Sequence, residues 1–295
     1  MTGEQAPGDL RKDTAVQRIK EAPGWYTADL PDAWNWLTPA GGTLMTVAMR
    51  AMREEIGDPS FKPVSATTLF CSPVPSGAME IRVEVIRRGN AAVQLRAALS
   101  STRVPGPGLE VSATFARDRQ GVDMVGASFP DVPLPGSAPR FDEHGPHRLG
   151  TFPFLRNVEV RLAQGYPYWA TEFLAKHPDL ARRPDEPARF ARWYRYHVPQ
   201  TTDEGTMDPL AIPPIADTMP SAIANKLGPG AKPFHAPSLD LTVHFLEDAR
   251  TEWVLVAAYA RRARAGYATC EAEIWSADGR LCAYSTQTMM LRQMK

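Results

Sequence analysis

Leu44, Val47, Ala48, Ala51, Met52 and Ile56 recur at three- and four-residue intervals, with Arg50, Arg53 and Glu54 off that stripe. The spacing predicts a helix over Thr43–Ile56, ended by Gly57. It is a rather apolar helix and needs protein on most sides. After it the pattern switches to period two. Strands are predicted over Val64–Cys71, Glu80–Arg87, Ala92–Ser100 and Leu109–Ala116. In the second of these, Ile81, Val83 and Val85 alternate with Arg82, Glu84 and Ile86, and Arg88-Gly89-Asn90 supplies a tight hairpin. Ahead of the helix, Trp25–Leu30 reads as a short strand and Met1–Gly24 as a polar arm, partly helical around Thr14–Lys20.

The second half repeats this order. Asn157–Leu162 and Phe190–His197 read as strands, separated by an excursion with a charged tip over Lys176–Pro187. Met207–Leu227 reads as helical in its later part. Strands follow over Leu239–Leu246, Glu252–Arg261, Tyr267–Ser276 and Leu281–Leu291, with a hairpin at Asp278-Gly279. The segment from Pro63 to Phe70 aligns with that from Pro237 to His244, Arg87-Arg88 with Arg261-Arg262, and Leu109–Phe115 with Leu281–Gln287. The offset is 174 residues at Pro63 and 172 at Leu109. So steady an offset over four strands reads as a tandem duplication of one helix-plus-sheet unit. An antiparallel sheet that curls around one apolar helix is the simple way to bury it, so each unit is expected to be α+β.

Between the units, Asp118–Pro153 is rich in the chain's 28 prolines, which suit neither central strands nor helix interiors. The resulting division is residues 1–24 as the arm, 25–118 as the first repeat, 119–153 as a linker and 154–295 as the second repeat, which carries the candidate active site. Lys and Arg total 33, as do Asp and Glu, so a formal charge of zero gives no electrostatic drive toward nucleic acid or an anionic membrane. The longest uncharged apolar stretch, Trp253–Ala260, is far below the roughly 20 residues of a membrane span. Met1–Glu21 has no apolar signal-peptide core, and Cys71, Cys270 and Cys282 form no paired motif, so a reduced, cytoplasmic protein is expected. No metal is expected either. Gly145-Pro146 separates His144 from His147, and His177, His197, His235 and His244 have no zinc-ligand spacing. Gly-x-Ser-x-Gly and the glycine-rich phosphate loops are missing.

The residues from Pro237 to Phe245, the Glu252-Trp253 pair and the run from Asp278 through Gln287 to Arg292 resemble the C-terminal repeat of double-hotdog acyl-CoA thioesterases of the thioesterase II type. Gly41-Gly42 and Arg87-Arg88-Gly89 fit the same family in the first half. The resemblance implies a tandem hotdog, each repeat an antiparallel sheet wrapped around one apolar helix. It implies a thioester hydrolase of fatty acid metabolism, acting on acyl-CoA or an acyl-carrier thioester. No cofactor is implied beyond the CoA of the substrate, and the exposed sheet surfaces suggest a homodimer. It places the acid that holds the hydrolytic water at Asp217, the hydroxyl at Ser238 where the family has Thr, and the amide at Gln287. Ser keeps the hydroxyl but loses a methyl that restricts the rotamer.

Those groups suit the reaction. A carboxylate takes a proton from water, while an amide and a hydroxyl fix the water's orientation. The backbone N–H groups of Gly41 and Gly42, at a helix start, could polarise the thioester carbonyl. Each residue also has a plain structural reading. Asp217 follows Pro213-Pro214 and could be an N-cap. Strict alternation groups Ser238 with Asp240, Thr242 and His244, which reads as a solvated strand face. Gln287 could be a satisfied structural amide, and Gly41-Gly42 a tight turn. Trp34-Asn35-Trp36 could line an acyl channel, with Trp25 and Trp275 in the core or a pocket wall. Arg261, Arg262 and Arg264 meet CoA phosphates or end a solvated strand. Two other functions stay open: hydration or dehydration of an acyl thioester, and non-catalytic binding of one. Against the former, the second helix carries Asp217 but no histidine.

Overall fold

The computed structural model describes residues 6–144, 152–167, 187–228 and 231–294, with 170, 172 and 175. The charged tip read over Lys176–Pro187, with His147 and His177, lies outside them but for Pro187. The strands are β1 (Gln17–Arg18), β2 (Trp25–Leu30), β3 (Lys62–Phe70), β4 (Gly77–Arg88), β5 (Ala92–Ser101), β6 (Leu109–Ala116), β7 (Val158–Gln164), β8 (Arg189–Tyr196), β9 (Phe234–His235), β10 (Ser238–Phe245), β11 (Val254–Arg264), β12 (Tyr267–Ser276), β13 (Leu281–Met290) and β14 (Arg292–Gln293). The helices are α1 (Leu10–Asp13), α2 (Gly41–Ile56), α3 (Ile212–Ala216) and α4 (Pro220–Leu227). Among the described residues twelve strands form one antiparallel sheet, in the order β1-β2-β4-β5-β6-β3-β10-β13-β12-β11-β8-β7. No helix among them is long and apolar enough to cross a membrane.

That order is the duplication made visible. From β2 to β3 the first unit runs β2-β4-β5-β6-β3, and from β8 to β10 the second runs β8-β11-β12-β13-β10. The copies meet where β3 pairs with β10, Thr67 opposite Thr242, their hydroxyls 3.0 Å apart. Joining there turns two edge strands into central ones. β4 and β11 each carry a bulge at the matching place, between Val85 and Arg87 and between Ala260 and Arg262. The fold is a tandem hotdog of the α+β class.

The helix of the first unit is continuous and two residues longer at its start than the spacing predicts; the αL conformation of Gly57 ends it. Leu44, Met45, Val47, Ala48, Met49, Ala51 and Met52 are buried, and the helix packs on β4, β5, β6 and α3. The helix of the second unit differs from expectation. It is two short helices, α3 and α4, because Pro220 has no N–H for the carbonyl of Ala216. The arm also differs. Its helix is α1, ahead of the predicted stretch, and Gln17–Arg18 pairs with β2. Leu10 is fully buried, and Asp13 Oδ2 accepts from Trp34 Nε1 at 2.9 Å, so tertiary contacts hold this polar segment down.

The proline-rich connection is in part a cover. Phe129 packs edge-on against Trp275, with 5.6 Å between ring centroids, and the Pro133 carbonyl accepts from Trp193 Nε1 at 2.8 Å. Trp193, Leu255, Ala257 and Trp275 are thereby buried on the outer side of the second unit's sheet. β8 therefore buries apolar side chains on both faces, with Phe190, Tyr194 and Tyr196 turned to the main core.

One buried ion cluster joins arm, first helix and second repeat. Arg50 Nη1 lies 3.1 Å from Asp208 Oδ2, and Arg50 Nε donates to Thr14 Oγ1 at 2.6 Å. Arg53 reaches the other Asp208 oxygen at 3.2 Å. Burial pushes the Asp208 carboxyl up, but Arg53, Arg50 and the Leu210 N–H together hold it below its usual range. Its stabilisation is thus present at neutral pH and lost only as pH falls through that lowered value. Asp208→Asn strands Arg50 without a counter-charge and is expected to cost about 3–5 kcal/mol in urea unfolding. Arg53→Ala, at a more exposed side chain, is expected to cost about 1 kcal/mol or less.

Candidate active site

Asp217 follows α3 directly, at the break that Pro220 imposes, and its φ of −71° and ψ of 12° turn the chain there. It is not the N-cap of the helix after it, whose flanking residue is Met219. It caps a helix of the other repeat instead. Asp217 Oδ2 accepts from the Gly42 N–H at 3.0 Å, in the first turn of α2, where Ala40 offers no side-chain acceptor.

Two glycines permit that approach. A Cβ on Gly42 would stand 2.0 Å from the Pro213 carbonyl oxygen, and one on Gly41 would stand 2.7 Å from the Phe70 ring and 3.0 Å from Asp217 Oδ2. The pair expected to polarise a substrate carbonyl therefore lies where α2 and α3 meet, with the Gly42 N–H engaged by the acid.

Ser238 opens β10, and here strict alternation fails. Ser238 is opposite Met289, whereas Asp240 is opposite Thr288 and Leu241 opposite Gln287, so a register shift lies between Ser238 and Asp240. Met289 and Gln287 face the buried side. The irregularity thus turns Ser238 to the side of Leu241 and Gln287, away from Asp240 and Thr242. Gln287 is 1% exposed. Its Nε2 donates to Ser238 Oγ at 2.6 Å and to Asp217 Oδ1, and Ser238 Oγ donates to Asp217 Oδ1 at 3.0 Å.

The structure thus brings Asp217, Ser238, Gln287 and Gly42 into one hydrogen-bonded group drawn from both repeats. Gln287 Oε1 is buried and unpartnered, an acceptor left for an O–H or N–H from a bound molecule. Burial pushes the Asp217 carboxyl up to about 6, against the lowering effect of the Gly42 N–H, Ser238, Gln287 and the Gly41 N–H. At pH 7 a group of that pKa is ionised about ten to one, so Asp217 is a carboxylate able to take a proton.

Two neighbours were not legible as site residues. Phe70, at the end of β3, packs on Gly41. Cys270 sits opposite Gln287, and burial pushes its thiol up to about 12, so it stays protonated. Period-two register along β12 and β13 would have found Cys270, while nothing local points to Phe70. Trp34 is fully buried against Phe154 and Tyr196, and Trp36 stacks on Phe154 at 4.9 Å. Trp275 is buried under Phe129. Among the described residues no group of three His, Cys, Asp or Glu side chains could hold a metal.

Comparison with known proteins agrees with the architecture. Residues 30–116 match the family of acyl-CoA thioesterase N-terminal domains, and residues 130–291 that of acyl-CoA thioesterase C-terminal domains. The chain belongs to the acyl-CoA thioesterase family. Among solved structures, a hot dog fold protein of unknown function from Alicyclobacillus acidocaldarius is 21% identical, with 97% of this chain and 98% of that one covered and a TM-score of 0.76. A putative thioesterase II from Thermobifida fusca is 21% identical over 99% and 100%, with a TM-score of 0.74. An acyl-CoA thioesterase II from Mycobacterium marinum is 17% identical over 97% and 99%, with a TM-score of 0.70. No curated protein matches the chain.

A pH titration of the Asp217 carboxyl by NMR is expected to show a midpoint of about 6. Because this value exceeds the unfolded one of about 4, the group's favourable contribution to stability is complete below pH 4 and is lost as pH rises through 6. Gly42→Ala is expected to force α2 and α3 apart and lower stability by about 1–3 kcal/mol, read as a fall in Tm.

Proposed function

We propose that the protein hydrolyses acyl-CoA thioesters to the free acid and CoA, with Asp217 as general base and Ser238 and Gln287 orienting the water. A water hydrogen donated to Gln287 Oε1 would leave its other hydrogen for Asp217 and its oxygen for the thioester carbonyl. As the water oxygen bonds to the carbonyl carbon, Asp217 takes a proton, and the tetrahedral intermediate then expels the thiolate as the C–S bond breaks. The proton held by Asp217 is available to that thiolate. A thiol with a pKa of about 8.5 leaves readily, so no stronger acid is needed.

The observation that carries this reading is the orphaned Gln287 Oε1 beside a carboxylate whose partners are a hydroxyl, an amide and a helix N–H. The same helix N–H that binds Asp217 keeps its pKa from rising further, which leaves it ionised at neutral pH while still basic enough to act. Family membership supports the reaction class.

The test is thiol release from acyl-CoAs running from acetyl to octadecanoyl, with wild type and Asp217→Asn side by side. Wild-type turnover with a loss of about 100-fold or more in Asp217→Asn is expected, the scale for removing a general base. Wild-type kcat/KM is expected to fall tenfold per pH unit below about 6, where Asp217 is protonated. Turnover that survives Asp217→Asn would relocate the base. A folded wild type inactive on every chain length would leave acyl-thioester binding as the function.

A further inference from the structure

Two more buried polar atoms without a partner lie near Gln287 Oε1. They are Thr43 Oγ1 and Thr68 Oγ1, on side chains that are fully buried. Thr43 follows Gly42 in the first turn of α2. Thr68 alternates with Ala66 and Phe70 on the core face of β3, and Phe70 packs on Gly41. The sheet also ties Thr68 to the site. Leu241 of β10 stands opposite Thr68 on one side and opposite Gln287 on the other. Thr68 and Gln287 therefore share one row of the core face, two strands and about 10 Å apart.

Comparable hydroxyls in the core are paired. Thr46 Oγ1, one turn along α2, donates to the Leu210 carbonyl at 2.9 Å, and Ser285 Oγ donates to the Thr242 carbonyl at 2.7 Å. The second repeat sharpens the contrast. Thr68 opposite Leu241 and Val243 opposite Ala66 flank the Thr67–Thr242 pair symmetrically, so Val243 holds the place that matches Thr68. Valine has the same branched shape without the hydroxyl, and Val243 is fully buried. The neighbours of Thr68 across the sheet, Val111 and Leu241, are apolar as well. A hydroxyl in such a row costs stability unless something bonds it.

A saturated acyl chain offers these two threonines nothing. A hydroxyl carried on the chain is both a donor and an acceptor, so it can bond two hydroxyls at once. We propose that the protein selects acyl groups bearing a hydroxyl along the chain, with Thr68 as its binding partner and Thr43 as a second. With the thioester carbonyl at Asp217 and Gln287, the chain runs along the core face past Leu241 to Thr68. The inference rests on the thioester reading above and narrows its substrates to hydroxyacyl thioesters.

Octanoyl-CoA and its 3-, 5- and 7-hydroxy forms test the selection. Wild type is expected to show a kcat/KM about tenfold or more higher for one hydroxy form than for octanoyl-CoA, the scale of a buried polar group paired against unpaired. Thr68→Val is expected to reverse that preference, raising kcat/KM for octanoyl-CoA and lowering it for the hydroxy form, with a Tm no lower than wild type. Thr68→Ser retains a hydroxyl and is expected to retain the preference, and Thr43→Val is expected to reduce it. A wild type that favours no hydroxy form would overturn the inference. So would a preference that survives Thr68→Val; a lower Tm in that variant would then assign the hydroxyl to a buried structural water. Calorimetry with S-octyl-CoA and its hydroxylated counterparts, thioethers that cannot be hydrolysed, separates binding from turnover. Should no thioester be hydrolysed, the reading of Asp217 falls, while tighter binding of a hydroxylated thioether that Thr68→Val abolishes still upholds the hydroxyl site.

Discussion

Where α2 and α3 meet, the backbone at Gly42 runs so close to the Pro213 carbonyl that no side chain fits between them. The joined sheet brings the two helices together, and their contact point lets the Asp217 carboxylate of one repeat reach the first-turn N–H of the other repeat's helix. The carboxylate gains a donor and the favourable end of the helix dipole, and the helix gains a cap that Ala40 cannot supply. Ser238 and Gln287 then have a fixed oxygen to donate to, which sets the direction of Gln287 Oε1, the amide oxygen left without a partner.

The duplication supplied the frame, and divergence supplied the chemistry. Phe115, which matches Gln287, is fully buried apolar packing. The first helix is unbroken, whereas prolines cut the second so that an acid stands at the break. The chain thus keeps one repeat for packing and assembles its polar group at the seam. Gly42 comes from the first repeat, and Asp217, Ser238 and Gln287 come from the second.

Two aspartates nine positions apart show how environment divides labour. Both are penalised by burial. Asp208 has two arginines and a backbone N–H, is held below its usual range and acts as a structural clamp. Asp217 has neutral donors and no cation among its partners, so burial prevails and lifts it to about 6. A carboxyl of the first kind is a poor base. One of the second kind keeps a useful affinity for a proton, at the expense of stability near neutrality.

Much of the fold was legible because hydrophobic period and turn residues are local signals. Leu109–Ala116 and Tyr267–Ser276 were located to the residue, and most other strands to within a few positions. The repeat offset conveyed the duplication, and resemblance implied the tandem hotdog and singled out Asp217, Ser238 and Gln287. The arm was misread because Leu10 and Thr14 take their places from contacts with residues far along the chain. What only the tertiary structure decided is how the polar residues meet. Alternation put Ser238 on the wrong face because a bulge does not announce itself in residue pattern. The union of Gly42 with Asp217 spans 175 residues, and the partner of a helix-end N–H that far away is set by how two sheets join, which no local periodicity encodes.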